Sequence, residues 1–448
     1  MTGAPQDVLD YYRDWLSYRQ WYLRVPGVQV AIAEEGRQRL SAAFGTCDVR
    51  TGEPLRTEHL FRIASHSKTF TAVAVLQLMD QGQLRLDDTV ADHVPQLAGS
   101  PVRNVTVREL LSHGAGVIRD SEDGDFWQLY RDFPDSAELE RIASEPSAAV
   151  LARNDRFKYS NIGYGLLGLI IEEVTGLGFA DSVSKTIVTR LGLADTGPDL
   201  PNERQDELAA GHSALAYATD RTVLEHVATG AMAAATGFYA TAADLVRFYG
   251  ALLPGNGELL SEDALRLMRQ GQWQVKEGES AYGLGVFVNR IGDRRLIGHS
   301  GGFPGYITRT MADPDSKLVV AVLTNATDGP AEPLATVLFR LLDLAAAASH
   351  QAAGEQGSRF TGRFSWLFGV QDVALLDGRL FAFNPTTLNP AEDCFRLDVV
   401  DSSTLKIVDG PGSGSIGELM HYDFADDGSI RSVRGGSGMS MTPFEQPS

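Results

Sequence analysis

Strand-forming runs lie at the two ends of a long stretch of this chain and are nearly absent from its middle. That arrangement limits the folds open to it. Pro26-Gly27 opens the β-like runs 28–33 and 40–44, and strand patterns return only at 283–288, 295–297, 306–311 and 318–323. Between them, to about residue 250, the apolar spacing is mostly helical, and helical periodicity also marks 7–23 and 333–347. Strands so far apart bury their apolar faces by sharing one sheet. The pattern predicts an α+β chain: one antiparallel sheet flanked by helices, plus an all-helical lobe.

Beyond residue 345 the character changes. A stretch rich in Ala, Gly, Gln and Ser, 345–357, reads as a linker. After it, Asp377-Gly378, Asp409-Gly410 and Asp427-Gly428 punctuate the short runs 379–383, 395–400 and 405–408, a pattern of successive hairpins. About eight short strands in so few residues imply a closed barrel. The expected domains are 1–347, a linker 348–358, and a C-terminal barrel 359–448.

Chemistry enters at Ser65-His66-Ser67-Lys68, at the mouth of the helical pattern 69–81. Positions three apart on a helix share a face, so a lysine amine at 68 reaches a serine hydroxyl at 65. An amine kept neutral by desolvation can take the hydroxyl proton and make the oxygen a nucleophile. Ser-x-x-Lys recurs at Ser182/Lys185 and Ser403/Lys406. The former lies beside a helix end and the latter in a β-branched run, where residues three apart point to opposite faces. By itself even the first copy is also explained as an N-capping serine beside a surface lysine.

Two later elements shift that balance. Tyr159-Ser160-Asn161 precedes a helical pattern, and His299-Ser300-Gly301-Gly302 ends a strand-like run. Tyr159 can relay a proton, Asn161 can hold a substrate amide, and a strand end can offer backbone N–H groups to an oxyanion. Two other motifs fail on context. Gly298-His299-Ser300-Gly301-Gly302 fits G-x-S-x-G, but a hairpin pattern follows where that motif needs a helix. Gly163-Tyr164-Gly165-Leu166-Leu167-Gly168 fits G-x-G-x-x-G without a parallel-strand unit around it, and its glycines read as packing residues.

With these three elements in this order, the chain resembles the serine β-lactamase and penicillin-binding-protein superfamily, in its branch of class C β-lactamases, D-aminopeptidases, D,D-carboxypeptidases and esterases. The tyrosine resembles class C usage. His299, where many relatives carry lysine, resembles the peptidases and esterases. Phe61-Arg62-Ile63-Ala64, Leu110-Leu111-Ser112-His113-Gly114, Leu191-Gly192-Leu193-Ala194-Asp195-Thr196 and Thr236-Gly237-Phe238-Tyr239-Ala240-Thr241 also look like this family. The resemblance spans about residues 20 to 345.

It implies a serine hydrolase or acyltransferase with Ser65 as nucleophile and Lys68 and Tyr159 moving its proton. Asn161 would orient substrate, and backbone N–H groups of Ser65 and Gly302, beside Gly301, would hold the oxyanion. His299 would meet the substrate carboxylate or Tyr159. The sequence does not say whether Lys68 or Tyr159 is the base, because their titrations are coupled. Some relatives carry a lipocalin-like barrel after the catalytic domain, and the C-terminal segment is similar in length and placement.

Expected substrates are D-amino-acid-containing peptide amides, esters or thioesters, small or carried on a protein. A stand-alone penicillin-binding-protein-type thioesterase that cyclises peptides, a β-lactamase or broad esterase, and a non-catalytic sensor are the alternatives. A net charge of -19 argues against nucleic acid and anionic membranes. The N-terminus shows no leader pattern, so a cytoplasmic location is expected. Cys47 and Cys394 imply no disulfide framework, and no cofactor or metal is expected.

Overall fold

The computed structural model describes residues 3–216, 218–412 and 415–446. Its sheet strands are Gly27–Glu34 (β1), Arg37–Asp48 (β2), Glu53–Pro54 (β3), Trp273–Lys276 (β4), Ser280–Tyr282 (β5), Phe287–Ile291 (β6), Arg294–Phe303 (β7), Tyr306–Asp313 (β8) and Leu318–Thr324 (β9). They form one antiparallel sheet in the order β3-β2-β1-β9-β8-β7-β6-β5-β4. The apolar run of β1 is buried along its whole length, as a central strand requires. It joins the two ends of the chain, pairing with β2 on one side and with β9 on the other, Val30 opposite Val322. Of the predicted run 283–288 only 287–288 are strand, at the start of β6; 283–286 connect it to β5, with Gly285 at φ +77.

The residues between β3 and β4 supply the helical lobe. Helix Ser67–Asp80 (α1) is buried from Ser67 through Leu78, so it is apolar all round and carries no polar face to solvent. Helix Asn161–Thr175 (α2) starts where the Ser160 hydroxyl accepts from the Gly163 amide at 2.8 Å, and ends at Gly176 in the left-handed conformation. Side chains at 165 and 168 would crowd Leu139 and Ala234, so the Gly-rich stretch permits close packing, as expected.

Two compact units result, and their limits differ from those predicted. One is 25–332; the other joins the N-terminal segment through Arg24 to the chain from Pro333 onward. In the second unit eight strands, Gly362–Trp366 to Ser440–Pro443, close into a barrel with its own core of Phe360, Phe364, Val373, Leu380, Leu397, Leu405 and Val433. The N-terminal helix Gln6–Tyr22 belongs with it. Tyr11 stacks on Phe383 at 4.6 Å, and the Asp7 carboxylate accepts from the amides of Asp377 and Gly378 at 2.9 and 2.8 Å. Those two residues take positive φ, the hairpin turn expected of Asp-Gly. Asp409-Gly410, by contrast, leaves a strand for a longer connection. The predicted linker 348–358 is no free tether either. Residues Gly354–Phe360 form a 3₁₀-helix, and Ala353 and Phe360 enter the barrel core.

Candidate active site

From His59 to Leu78 every residue is buried except Ser65. It sits in the single 3₁₀ turn Ala64–His66 that runs directly into α1, so its hydroxyl emerges at a helix N-terminus. Ala64 has φ +49, a left-handed conformation that costs an L-residue about 1–2 kcal/mol. Neighbours hold it there. The Ser67 hydroxyl donates to the Ala64 carbonyl at 2.5 Å and accepts from the Phe238 amide at 3.0 Å, while the Ile63 amide donates to the Phe238 carbonyl at 2.9 Å.

One turn into the helix, Lys68 is fully buried. Its Nζ lies 3.3 Å from Ser65 Oγ, 2.7 Å from Asn161 Oδ1 and 2.9 Å from the Ala235 carbonyl. That carbonyl is available because Ala233–Gly237 is a π-helical turn, a local irregularity common at functional sites. Burial drives the amine well below its ordinary pKa; nearby Asp120 partly opposes this and Arg119 adds to it.

Tyr159 completes the group. Its ring lies 4.7 Å from Lys68 Nζ, and the Ser65 side chain beside its phenol acts to lower the pKa. Burial raises the Tyr159 pKa, outweighing the lowering by Ser65, so the phenol is protonated at neutral pH. The backbone that carries it is anchored where the Ser160 amide donates to His113 Nδ1 at 3.2 Å and the Ser160 hydroxyl donates to the Ile118 carbonyl at 2.6 Å. Asn161 follows directly, buried, with its Nδ2 donating to Asp120 Oδ1 at 2.7 Å.

The third motif reaches the same place from the sheet. β6 pairs with β7 only as far as Gly298, so residues 299–303 pair with β8 alone and leave their other edge without a strand. Gly301 packs beneath the Ile63 carbonyl, two residues before the nucleophile, and a Cβ there would overlap that oxygen. Gly302, next along, is exposed.

His299 departs from expectation. It is only 1% exposed; its Nδ1 donates to the Ser300 carbonyl at 2.7 Å, and its Nε2 lies 3.1 Å from the Tyr282 hydroxyl. Burial, then the nearby Lys68, push its pKa to about 3. Both ring nitrogens are thus engaged within the protein, with Ser300 and Tyr282 rather than with Tyr159. The alternation of β7 places His299 on the same buried side as Gly301.

The structure therefore brings Ser65, Lys68 and Asn161 into one hydrogen-bonded group, with the Tyr159 ring against the lysine amine. Gly301 packs against the nucleophile's turn, and His299 stands behind it. Sequence reading missed the Ala235 carbonyl and Asp120, whose carboxylate also accepts from Trp127 Nε1 at 2.8 Å. Neither carries a local pattern. The other Ser-x-x-Lys copies assemble nothing: Ser182 is buried at the end of a short helix while Lys185 is exposed, and Lys406 points out of a barrel strand. Ser300 lies within β7, which turns at Pro304-Gly305 into β8.

A serine at the head of a buried helix, with a lysine one turn on and a tyrosine from the helical lobe, against the edge of an antiparallel sheet, places the chain in the serine β-lactamase and penicillin-binding-protein superfamily. It belongs to the Beta-lactamase family, whose model matches residues 15–344, and whose members are serine hydrolases. Penicillin-binding protein 4* of Bacillus subtilis (strain 168) is 29% identical over 312 residues, 66% of this chain and 67% of that protein. The SurE crystal structure is similar over 98% of both chains, with a TM-score of 0.63 and 25% identity; SurE has also been solved with D-Leu, at a TM-score of 0.60. A D-stereospecific amidohydrolase from Streptomyces sp. is similar over 70% of this chain and 93% of its own, with a TM-score of 0.60 and 26% identity.

Proposed function

We propose that this chain is a serine acyl-transfer enzyme that forms an acyl-enzyme on Ser65 from donors with a D-configured residue next to the scissile bond. The observation that carries the reading is the buried amine of Lys68, desolvated and facing Ser65 Oγ. With the Tyr159 phenol protonated, the electrostatics favour Lys68 as the base and Tyr159 as the relay. Ser65 Oγ attacks the carbonyl carbon and its proton passes to Lys68. As the bond to the leaving group breaks, the proton passes by way of Tyr159 to that group, leaving the acyl-enzyme. The backbone N–H groups of Ser65 and Gly302 hold the oxyanion, and Asn161 orients the donor. Water or an amine then attacks the ester, with the protons moving in reverse.

The D-preference draws support from the likeness to the Streptomyces amidohydrolase and to SurE, which accommodates D-Leu. A second reading is a stand-alone thioesterase that cyclises peptides delivered on a carrier protein, favoured by the closed barrel in the C-terminal part of the chain, which thioesterases of the penicillin-binding-protein type also carry. The SurE likeness covers 98% of this chain and the amidohydrolase likeness 70%. A matched panel of D- and L-terminal peptide amides, esters and thioesters, some with an internal amine, tests both by product mass. Faster turnover of D donors is expected. Equal rates on the two enantiomers would leave a broad esterase, and linear acid as the sole product would remove cyclisation.

A further inference from the structure

The loop Arg119-Asp120 enters the site from outside all three motifs. Asp120 Oδ1 accepts two hydrogen bonds, from Asn161 Nδ2 at 2.7 Å and from Trp127 Nε1 at 2.8 Å. Oδ2 stands 3.3 Å from the Arg119 guanidinium. An amide side chain offers an oxygen on one side and a donor on the other, and the two are exchanged by a half-turn. With a carboxylate on one side, only the donor can face it, so the carbonyl oxygen must face the other way. On that other side is Lys68 Nζ, at 2.7 Å. The Arg119 carbonyl and guanidinium frame the same junction: the Asn161 amide donates to the carbonyl at 2.7 Å, and the guanidinium lies 5.0 Å from the centre of the Tyr159 ring.

We propose that Asp120 is a positioning residue for acyl transfer: it locks the Asn161 amide with its oxygen on Lys68 and, with the adjacent Arg119, sets the charge around that junction. The inference rests on Ser65 and Lys68 being the nucleophile and its base. Two charges of opposite sign in adjacent positions act on one buried lysine, and the negative one is also its mechanical anchor through Asn161. Trp127 extends the anchor to the sheet, its ring meeting that of Phe303 at 6.0 Å, one residue beyond Gly302. Asp120 therefore ties the tyrosine loop to the strand end that follows the third motif.

The charged and titratable groups facing Lys68 are Asp120 and Arg119 of the loop, Tyr159 before α2, Tyr164 within it, His113 of the preceding turn and His299 of β7. Burial, the largest cause for each, lowers both histidine pKa values and favours the neutral rings. In the working range the two tunable charges are those of the loop. Removing the carboxylate lets the Lys68 pKa fall further, and removing the guanidinium lets it rise.

The test is the pH profile of kcat/KM for a small activated ester on the full chain, with wild type, Asp120→Asn and Arg119→Met. Acylation of Ser65 by a fluorophosphonate, read by intact mass, is followed in parallel. Asp120→Asn is expected to move the acid limb to lower pH and to lower the plateau by roughly tenfold to a hundredfold, since its new amide no longer fixes the flip of Asn161. Arg119→Met is expected to move the limb to higher pH. Opposite displacements cannot come from a shared loss of structure. If both limbs stay at the wild-type pH while Ser65 still acylates, the inference fails and the proposed function stands. If the wild type is not labelled at Ser65, the proposed function fails with it. Should Asp120→Asn unfold, Arg119→Met decides the matter, and a wild-type limb in that variant overturns the inference.

Discussion

The segments 65–68 and 182–185 share the spelling Ser-x-x-Lys and almost nothing else. At 65–68 the serine reaches the surface and the lysine is buried; at 182–185 the serine is buried and the lysine is exposed. A desolvated amine is a base near neutral pH, whereas an exposed one spends that range charged and hydrated. The difference teaches that the motif supplies only reach. The helix that surrounds it supplies the chemistry, because α1 is apolar on every side and a lysine placed in it has nowhere to send its charge.

Loss of the nucleophile breaks this comparison most directly. Ser65→Ala is expected to abolish covalent labelling by a fluorophosphonate and to lower turnover by about 10³ or more, while Ser182→Ala and Ser300→Ala stay labelled. Intact mass decides it, and a label that survives Ser65→Ala but vanishes in Ser300→Ala overturns the assignment. Next in size come Lys68→Ala and Tyr159→Phe, each expected to cost about 10² or more in turnover. Their double variant should lose far less than the product, since both act on one proton; independent, multiplicative losses would contradict that. Lys185→Ala should leave turnover at the wild-type level.

The smallest effect is on stability. In the unfolded chain Lys68 binds a proton below about pH 10.4 that the folded chain does not bind until its depressed pKa is reached. Across that window the unfolded state holds more protons, so stability rises with pH and the contribution levels off above it. Tm measured from pH 7 to 10 should therefore climb more steeply for wild type than for Lys68→Met, with Lys185→Met following wild type. Parallel curves for all three would show that the amine carries its charge into the fold.

Much of this was legible in the residues because the informative features are local. Ser65 and Lys68 share a helix face, Tyr159 and Asn161 flank a capping serine, and the strand runs at each end needed one sheet. What was hidden depends on distant partners. Ala235 reaches Lys68 only through a π-helical turn 167 residues away, and Asp120 meets Asn161 across 41 residues, with no period to betray either. The burial of His299 was hidden because a strand's alternation is visible in sequence but its buried side is not. The N-terminal helix reads as amphipathic whichever unit it packs on, and only Tyr11 against Phe383 and Asp7 on the Asp377-Gly378 turn assign it to the barrel.

For anyone reshaping this enzyme by directed evolution, the glycine beneath Ile63 sets a boundary. Any side chain at 301 has to displace the strand from the turn that carries the nucleophile, so libraries at that position would return almost nothing active. Position 302 is different. A Cβ there would meet only Ile307 at 3.6 Å, an ordinary contact, and the backbone needs no special conformation. Diversity spent at 302 and along the loop that bears Trp127 can alter which donor is accepted while the distance between strand and serine stays fixed.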